Sequence, residues 1–190
     1  MCADATAGIR PDEDRSADRV AIGEVLVAYC DYLDRMELDA LADLFTAGCV
    51  VEFGPDERLN SRGRDALAKS LERMWRWRRT SHYLCNVHIA FSAPDAAQTT
   101  SYVLAWHERP DGSTATVHGQ YRDRFEYRDS RWRIAARRML MNGSDAGFTV
   151  NLFPLERRPA PAGWVAPDID NPAGASAGDR PPDQKTRWRG

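Results

Sequence analysis

Four histidines, His82, His88, His107 and His118, are the side chains of this sequence best suited to moving protons near neutral pH. Taking a proton from carbon and returning one to a leaving oxygen needs a base and an acid, and an imidazole can serve as either. A carboxylate on the opposite ring nitrogen fixes the tautomer and stabilises the imidazolium that forms. Asp31 and Asp34, near the end of the first apolar-periodic segment, are the candidates for that carboxylate. The alternative is that Asp34 is solvated at a helix end and His82 is an ordinary strand residue. Tyr29 lies at helical spacing with Leu26 and Leu33, which makes core packing its default, although a phenol turned into a cavity could bind a substrate oxygen. His107 shares strand parity with Val103 and Ala105, so it belongs either to the core or to a pocket wall. His88 lies six residues beyond His82, roughly 20 Å along a strand. His118 alternates with Gln120, Arg122 and Arg124 in a polar row. Neither joins the constellation.

Arg137 and Arg138 are adjacent, so in a regular strand only one can face inward. An inward guanidinium needs an anion, which could be Asp34, Asp123 or a substrate. Asp123 shares the apolar parity of Tyr121 and Phe125, and a structural Asp123–Arg137 pair is the favoured reading. No HExxH and no close His/carboxylate cluster is present, so no metal is expected. No GxGxxG follows a strand and there is no P-loop, so no nucleotide cofactor is implied either.

The elements that must position these residues fall into two blocks. Residues 18–36 place Ile22, Val25, Leu26, Tyr29 and Leu33 on one helical face, with Asp18 as the expected N-cap. A second helix is expected over Asp39–Phe45, a short strand over Cys49–Gly54, and a third helix after Gly63 bearing Leu67, Leu71, Met74 and Trp75. Beyond Thr80 the period changes to two, giving four long strands over Ser81–Phe91, Thr99–Glu108, Thr114–Tyr127 and Arg131–Met141, separated by turn sequences. Helices followed by an antiparallel meander predict an α+β domain over 18–142, its sheet curved around three helices with a pocket between. Residues 1–17 read as a flexible arm and 143–190 as an extension. From Pro154 onward lie seven of the eleven prolines, with Trp164 and Trp188 as possible anchors on the domain.

Composition narrows the classes further. The 190 residues are 43% hydrophobic and 28% charged, with a formal net charge of -2, which argues against a general nucleic-acid binder. The basic and aromatic run RMWRWRRT at 73–80 is read as a packed Trp75 flanked by solvated arginines. No apolar run is long enough to span a membrane, and the first residues lack the apolar stretch of a signal peptide. Four cysteines without a CxxC pair fit reduced thiols and a cytoplasmic location. The strand Thr99–Glu108 is apolar on both faces, since Tyr102, Leu104 and Trp106 oppose Val103, Ala105 and His107, which predicts a homodimer or homotrimer.

The strings AIGEVLVAYCDYLDRMELDALADLFTAGCVVEF at 21–53, TSHYLCNVHI at 80–89 and HGQYRDRFEYRDSRWRIAARR at 118–138 resemble the SnoaL-like branch of the NTF2-like superfamily. Within it, Tyr29, Asp34 and His82 resemble the tyrosine, aspartate and histidine of cofactor-independent lyases of the scytalone dehydratase, bile-acid dehydratase and hexachlorocyclohexane dehydrochlorinase type. His107 is similar to a second histidine of that group, Arg137 to a pocket arginine, and Asn142 weakly to an asparagine. The resemblance implies a cone-shaped fold and a lyase or isomerase of dehydratase type, acting on a small hydrophobic, cyclic, oxygenated molecule. It makes His82 the base, Asp34 its orienting carboxylate, and Tyr29, His107 and Arg137 the binders of substrate oxygen. The same fold also serves non-catalytic binding and assembly modules, such as the small subunits of ring-hydroxylating oxygenases.

Overall fold

A computed structural model of the chain describes residues 14–146, 153–154 and 161–163. The chain divides into two units, Met1–Leu155 and Glu156–Gly190. Of the second unit only residues 161–163 are described, so the expectations for Trp164 and Trp188 lie outside the described residues.

The first unit opens with α1 (Ser16–Arg35), whose buried face is Ile22, Leu26, Tyr29, Cys30 and Leu33. Full burial of one such aliphatic side chain contributes about 1.5–3 kcal/mol. Helix α1 starts earlier than expected, and Asp18 is not its N-cap: it sits in the first turn and accepts a hydrogen bond from the Trp132 indole at 2.8 Å. Met36, with φ at 58°, ends the helix in the left-handed conformation. Its N–H and that of Glu37 then satisfy the carbonyls of Leu33 and Tyr32. Helix α2 (Leu38–Asp43) follows at once. It is shorter than its apolar spacing suggested, because Phe45 already belongs to β1 (Phe45–Glu52).

After a single 3₁₀ turn come β2 (Ser61–Arg62) and α3 (Arg64–Leu71). The expected third helix does not continue to Trp75. It tightens into a 3₁₀ turn over Glu72–Arg76, in which residues three apart eclipse. Leu71 and Met74 therefore share the inner side, and Trp75 is turned out, 66% exposed rather than packed.

Four long strands follow: β3 (Arg79–Ala93), β4 (Ala96–Glu108), β5 (Thr114–Arg128) and β6 (Arg131–Ser144). Strands β5 and β6 join through Asp129 and Ser130, both at positive φ, the backbone that a two-residue hairpin needs. A short β7 (Phe153–Pro154) adds to β6. The sheet runs β2-β1-β6-β5-β4-β3 and is curved, with the helices packed in its concavity. It is mixed rather than wholly antiparallel, because β1 and β7 both lie parallel to β6. The physical reason is connectivity: β1 precedes the meander and joins its last strand across the intervening helix and hairpins, so its direction is set by where α2 delivers the chain. No described helix is long and apolar enough to cross a membrane.

Candidate active site

The site is built where the last turn of α1 meets the start of β3. A carboxylate there stands at the negative end of the helix dipole, an unfavourable place unless donors surround it. Strand β3 supplies them. Thr80 and His82 are two residues apart and face α1 together, and both converge on Asp34. The Thr80 hydroxyl donates to Asp34 Oδ1 at 2.7 Å, the His82 backbone N–H to Oδ2 at 2.8 Å, and His82 Nδ1 lies 2.6 Å from Oδ1. Burial raises the Asp34 pKa, but the bonds from His82 and Thr80 outweigh it and hold the carboxyl below its usual value. An ionised carboxylate at Nδ1 places the ring proton there and leaves Nε2 as the acceptor. Asp31, the competing carboxylate, is exposed and paired with Arg35 at 2.6 Å.

The His82 ring is nearly buried and lines a cavity of about 290 Å³ between the helices and the sheet. Register sets its neighbour. His82 pairs with Ala105 and Thr80 with His107, so the two histidines are diagonal partners on adjacent strands, 5.5 Å apart and edge to face. Burial, aided by the adjacent His82, pulls the His107 pKa down to about 4, so this imidazole is neutral at physiological pH. Among the described residues its Nδ1, which is buried, has no hydrogen-bond partner, and its ring also packs on Trp77 at 4.8 Å. Tyr29 lines the same cavity; its hydroxyl is buried and makes no well-formed hydrogen bond among the described residues, and burial raises its pKa against the opposing pull of the Arg137 guanidinium.

Arg137, expected among the oxygen binders, is placed differently from Tyr29 and His107. It is not among the residues that line the cavity, and its side chain is fully buried. Nε and Nη2 donate to the two Asp123 oxygens at 2.8 and 2.7 Å, and the guanidinium carbon lies 4.0 and 4.1 Å from the centres of the Tyr29 and Tyr121 rings, which meet each other edge to face. Burial opposes the charge, but Asp123 prevails and raises the Arg137 pKa. Arg137 thus packs on Tyr29 and pairs with Asp123. The physical reason is that Asp123, directly opposite it on β5, takes the Nε and Nη2 edge of the guanidinium. Asn142, His88 and His118 are exposed. Cys30 and Cys49 are buried free thiols and Cys85 an exposed one. No group of three or more His, Cys, Asp or Glu that could hold a metal occurs among the described residues.

Sequence reasoning missed several cavity residues: Phe53, Leu59, Arg73, Trp77, Val117 and Met139. Arg73 and Trp77 were hidden because helical periodicity was carried past Leu71, where the chain tightens to three residues per turn. The cue was the dense Arg/Trp run itself, which is too bulky to be wholly solvated.

A curved sheet closed by helices over a pocket is the architecture of NTF2-like proteins. Residues 14–138 match the SnoaL-like domain, and the chain belongs to that family. Among solved structures it is similar to a protein from Novosphingobium aromaticivorans assigned as a scytalone dehydratase, with 28% identity, a TM-score of 0.72, and coverage of 76% of this chain and 97% of that one. It also shares the fold of a hexachlorocyclohexane dehydrochlorinase from Novosphingobium barchaimii (19% identity, TM-score 0.64, 75% and 98% covered). The same holds for the beta subunit assigned to an aromatic-ring-hydroxylating dioxygenase of Novosphingobium aromaticivorans (19%, 0.60, 75% and 100%). Among curated proteins, none matches the chain.

Proposed function

We propose that the protein is a cofactor-independent lyase or isomerase of dehydratase type, with His82 as its base and Asp34 as the carboxylate that orients it. The observation that carries this reading is the 2.6 Å contact between His82 Nδ1 and Asp34 Oδ1 on a ring that lines the cavity. In an elimination, Nε2 takes the proton from a carbon next to a carbonyl, and the electron pair left behind is held as an enolate. That pair forms the C=C bond as the C–O bond of the leaving hydroxyl breaks, and the imidazolium returns its proton to the departing oxygen, which leaves as water. Asp34 stabilises the imidazolium while it exists. His107, neutral at working pH, and the Tyr29 hydroxyl bind substrate oxygens as hydrogen-bond donors.

The test is a panel of cyclic hydroxy-ketones, followed for loss of water and for deuterium incorporation in D2O. His82→Gln should lower kcat by about 10²–10⁴ with an unchanged circular dichroism spectrum. A variant that exchanges and dehydrates at the wild-type rate would end the reading.

A second observation supports assembly. The outer faces of β3 and β4 expose Tyr83 (58%) and Tyr102 (38%) beside Leu104 and Trp106. Aromatic residues grouped on one face favour a protein partner. In our reading the partner is a second copy of this chain, giving a homodimer or homotrimer. Light scattering at micromolar concentration tests it, and a monomer would count against it. If the hydroxy-ketone screen also failed, a non-catalytic binding or assembly module would take its place.

A further inference from the structure

The cavity wall carries a cation that proton transfer between His82 and carbon leaves unused. Arg73 stands in the 3₁₀ turn after α3 and lines the same cavity as His82. Its Nη1 is committed, donating to both the carbonyl and the hydroxyl of Ser70. Its guanidinium carbon lies 4.9 Å from the centre of the Phe53 ring, which holds the group in place. Nε and Nη2 make no hydrogen bond to any described residue, and Arg73 has no ion-pair partner among the described residues. Arg137 differs on this point, since its Nε and Nη2 both donate to Asp123.

Half-burial pulls the Arg73 pKa below its ordinary value, in opposition to nearby Tyr29, yet arginine remains a cation in proteins. A positioned, partly desolvated guanidinium with no counter-charge is costly alone and becomes favourable when an anion arrives. The planar N–H fork suits a carboxylate. The walls around it, including Phe53, Leu59, Leu71, Val117 and Met139, are apolar and suit a ring.

We infer that the cavity takes a small cyclic or aromatic acid, its carboxylate held by Arg73 and its ring packed on the apolar walls within reach of His82. The inference rests on the lyase reading for what His82 then does, but the anion site itself does not require that reading. Two other cations could claim the carboxylate. One is His82 when protonated. The other is Arg76, an exposed cavity residue whose Nε donates to the Arg73 carbonyl.

The experiment titrates the full chain with benzoate and with benzyl alcohol, which present the same ring with and without the charge, by saturation-transfer NMR and calorimetry. Benzoate should bind about 10- to 100-fold more tightly than benzyl alcohol, the range expected of a charge-assisted pair. Arg73→Gln should abolish the preference, Arg73→Lys should keep part of it, and Arg76→Gln and His82→Gln should keep most of it. Thermal melts of each variant establish that it is folded. Equal affinity for the two probes, no saturable benzoate binding at millimolar concentration, or full benzoate binding by Arg73→Gln would each overturn the inference. Loss of benzoate binding in His82→Gln but not in Arg73→Gln would do the same. Benzoate selectivity with no His82-dependent turnover on any cyclic acid would break the lyase reading and leave the anion site standing. His82-dependent turnover of neutral ketones without benzoate selectivity would do the reverse.

Discussion

Two acid–base pairs lie close together in this domain and use the same kinds of residue to opposite ends. Asp123 and Arg137 face each other across β5 and β6, both side chains wholly buried, with two hydrogen bonds between them and two tyrosine rings packed on the guanidinium. Asp34 and His82 come from a helix end and a strand, and the carboxylate keeps 24% of its side chain exposed while the imidazole faces a cavity. The first pair directs two of its guanidinium nitrogens at one carboxylate and leaves Nη1 sealed from solvent, where no ligand reaches it. The second leaves Nε2 of His82 without a hydrogen bond to any described residue, on a ring that lines the cavity. In the proposed reading, chemistry belongs to the pair that adjoins open space.

The largest effect should come from breaking the fully buried pair. Arg137→Met leaves Asp123 buried and unpaired, and should lower unfolding free energy by about 3–5 kcal/mol in urea titration. Replacing both partners, as Asp123→Leu with Arg137→Met, should restore much of that loss. If the single and double variants were equally unstable, the pair would matter for its packing and not for its charge.

The open pair should respond in the opposite sense. Asp34→Asn removes the acceptor that fixes the His82 tautomer, and kcat should fall by about 10²–10⁴ while the melting temperature moves little. The two pairs would have to be treated alike if Asp34→Asn unfolded the protein.

His107 sharpens the comparison through pH. Its folded pKa, near 4, lies below the ordinary value of 6.5, so between these values the unfolded chain binds more protons than the folded one. Stability is therefore fully present above about pH 6.5 and declines as the pH falls toward 4. Asp34, with its lowered pKa, adds a loss in the same direction at still lower pH. Denaturation curves of wild type and His107→Gln should diverge across the upper window, with the variant the flatter of the two. Parallel curves would mean that His107 is not desolvated.

Tyr29 belongs to both regions, since its ring packs on Arg137 and its hydroxyl is buried with no well-formed hydrogen bond among the described residues. Tyr29→Phe should leave stability unchanged or raise it by up to about 1 kcal/mol, while weakening substrate binding. A clear loss of stability would reveal a structural partner for the hydroxyl. The smallest effects should be those of His88→Ala and His118→Ala, both exposed, which should shift stability by no more than about 0.5 kcal/mol and leave turnover intact.

Local pattern made much of this legible. The 3.6-residue period of Ile22, Leu26, Tyr29 and Leu33 and the alternation of Val103, Ala105 and His107 placed the buried faces of α1 and β4 correctly. Strand parity also put Tyr121, Asp123 and Phe125 inward and His118 outward. Pattern failed where geometry changed without a change in composition. The helix tightened after Leu71, which turned Trp75 out and brought Arg73 and Trp77 to the cavity. The parallel pairing of β1 with β6 left no mark in either strand, because both orientations bury the same alternate residues.

What the sequence alone determined, then, are properties carried by near neighbours: which residues form helices and strands, and which side of each is apolar. These follow from backbone geometry repeated every few residues. The tertiary structure alone decided that Asp34 and not Asp31 meets His82, that Arg137 pairs with Asp123, and that Arg73 meets no carboxylate among the described residues. Each of these is a competition among charges far apart in the chain. Its outcome depends on distances of a few ångströms and on exclusion of water, neither of which is encoded in local spacing.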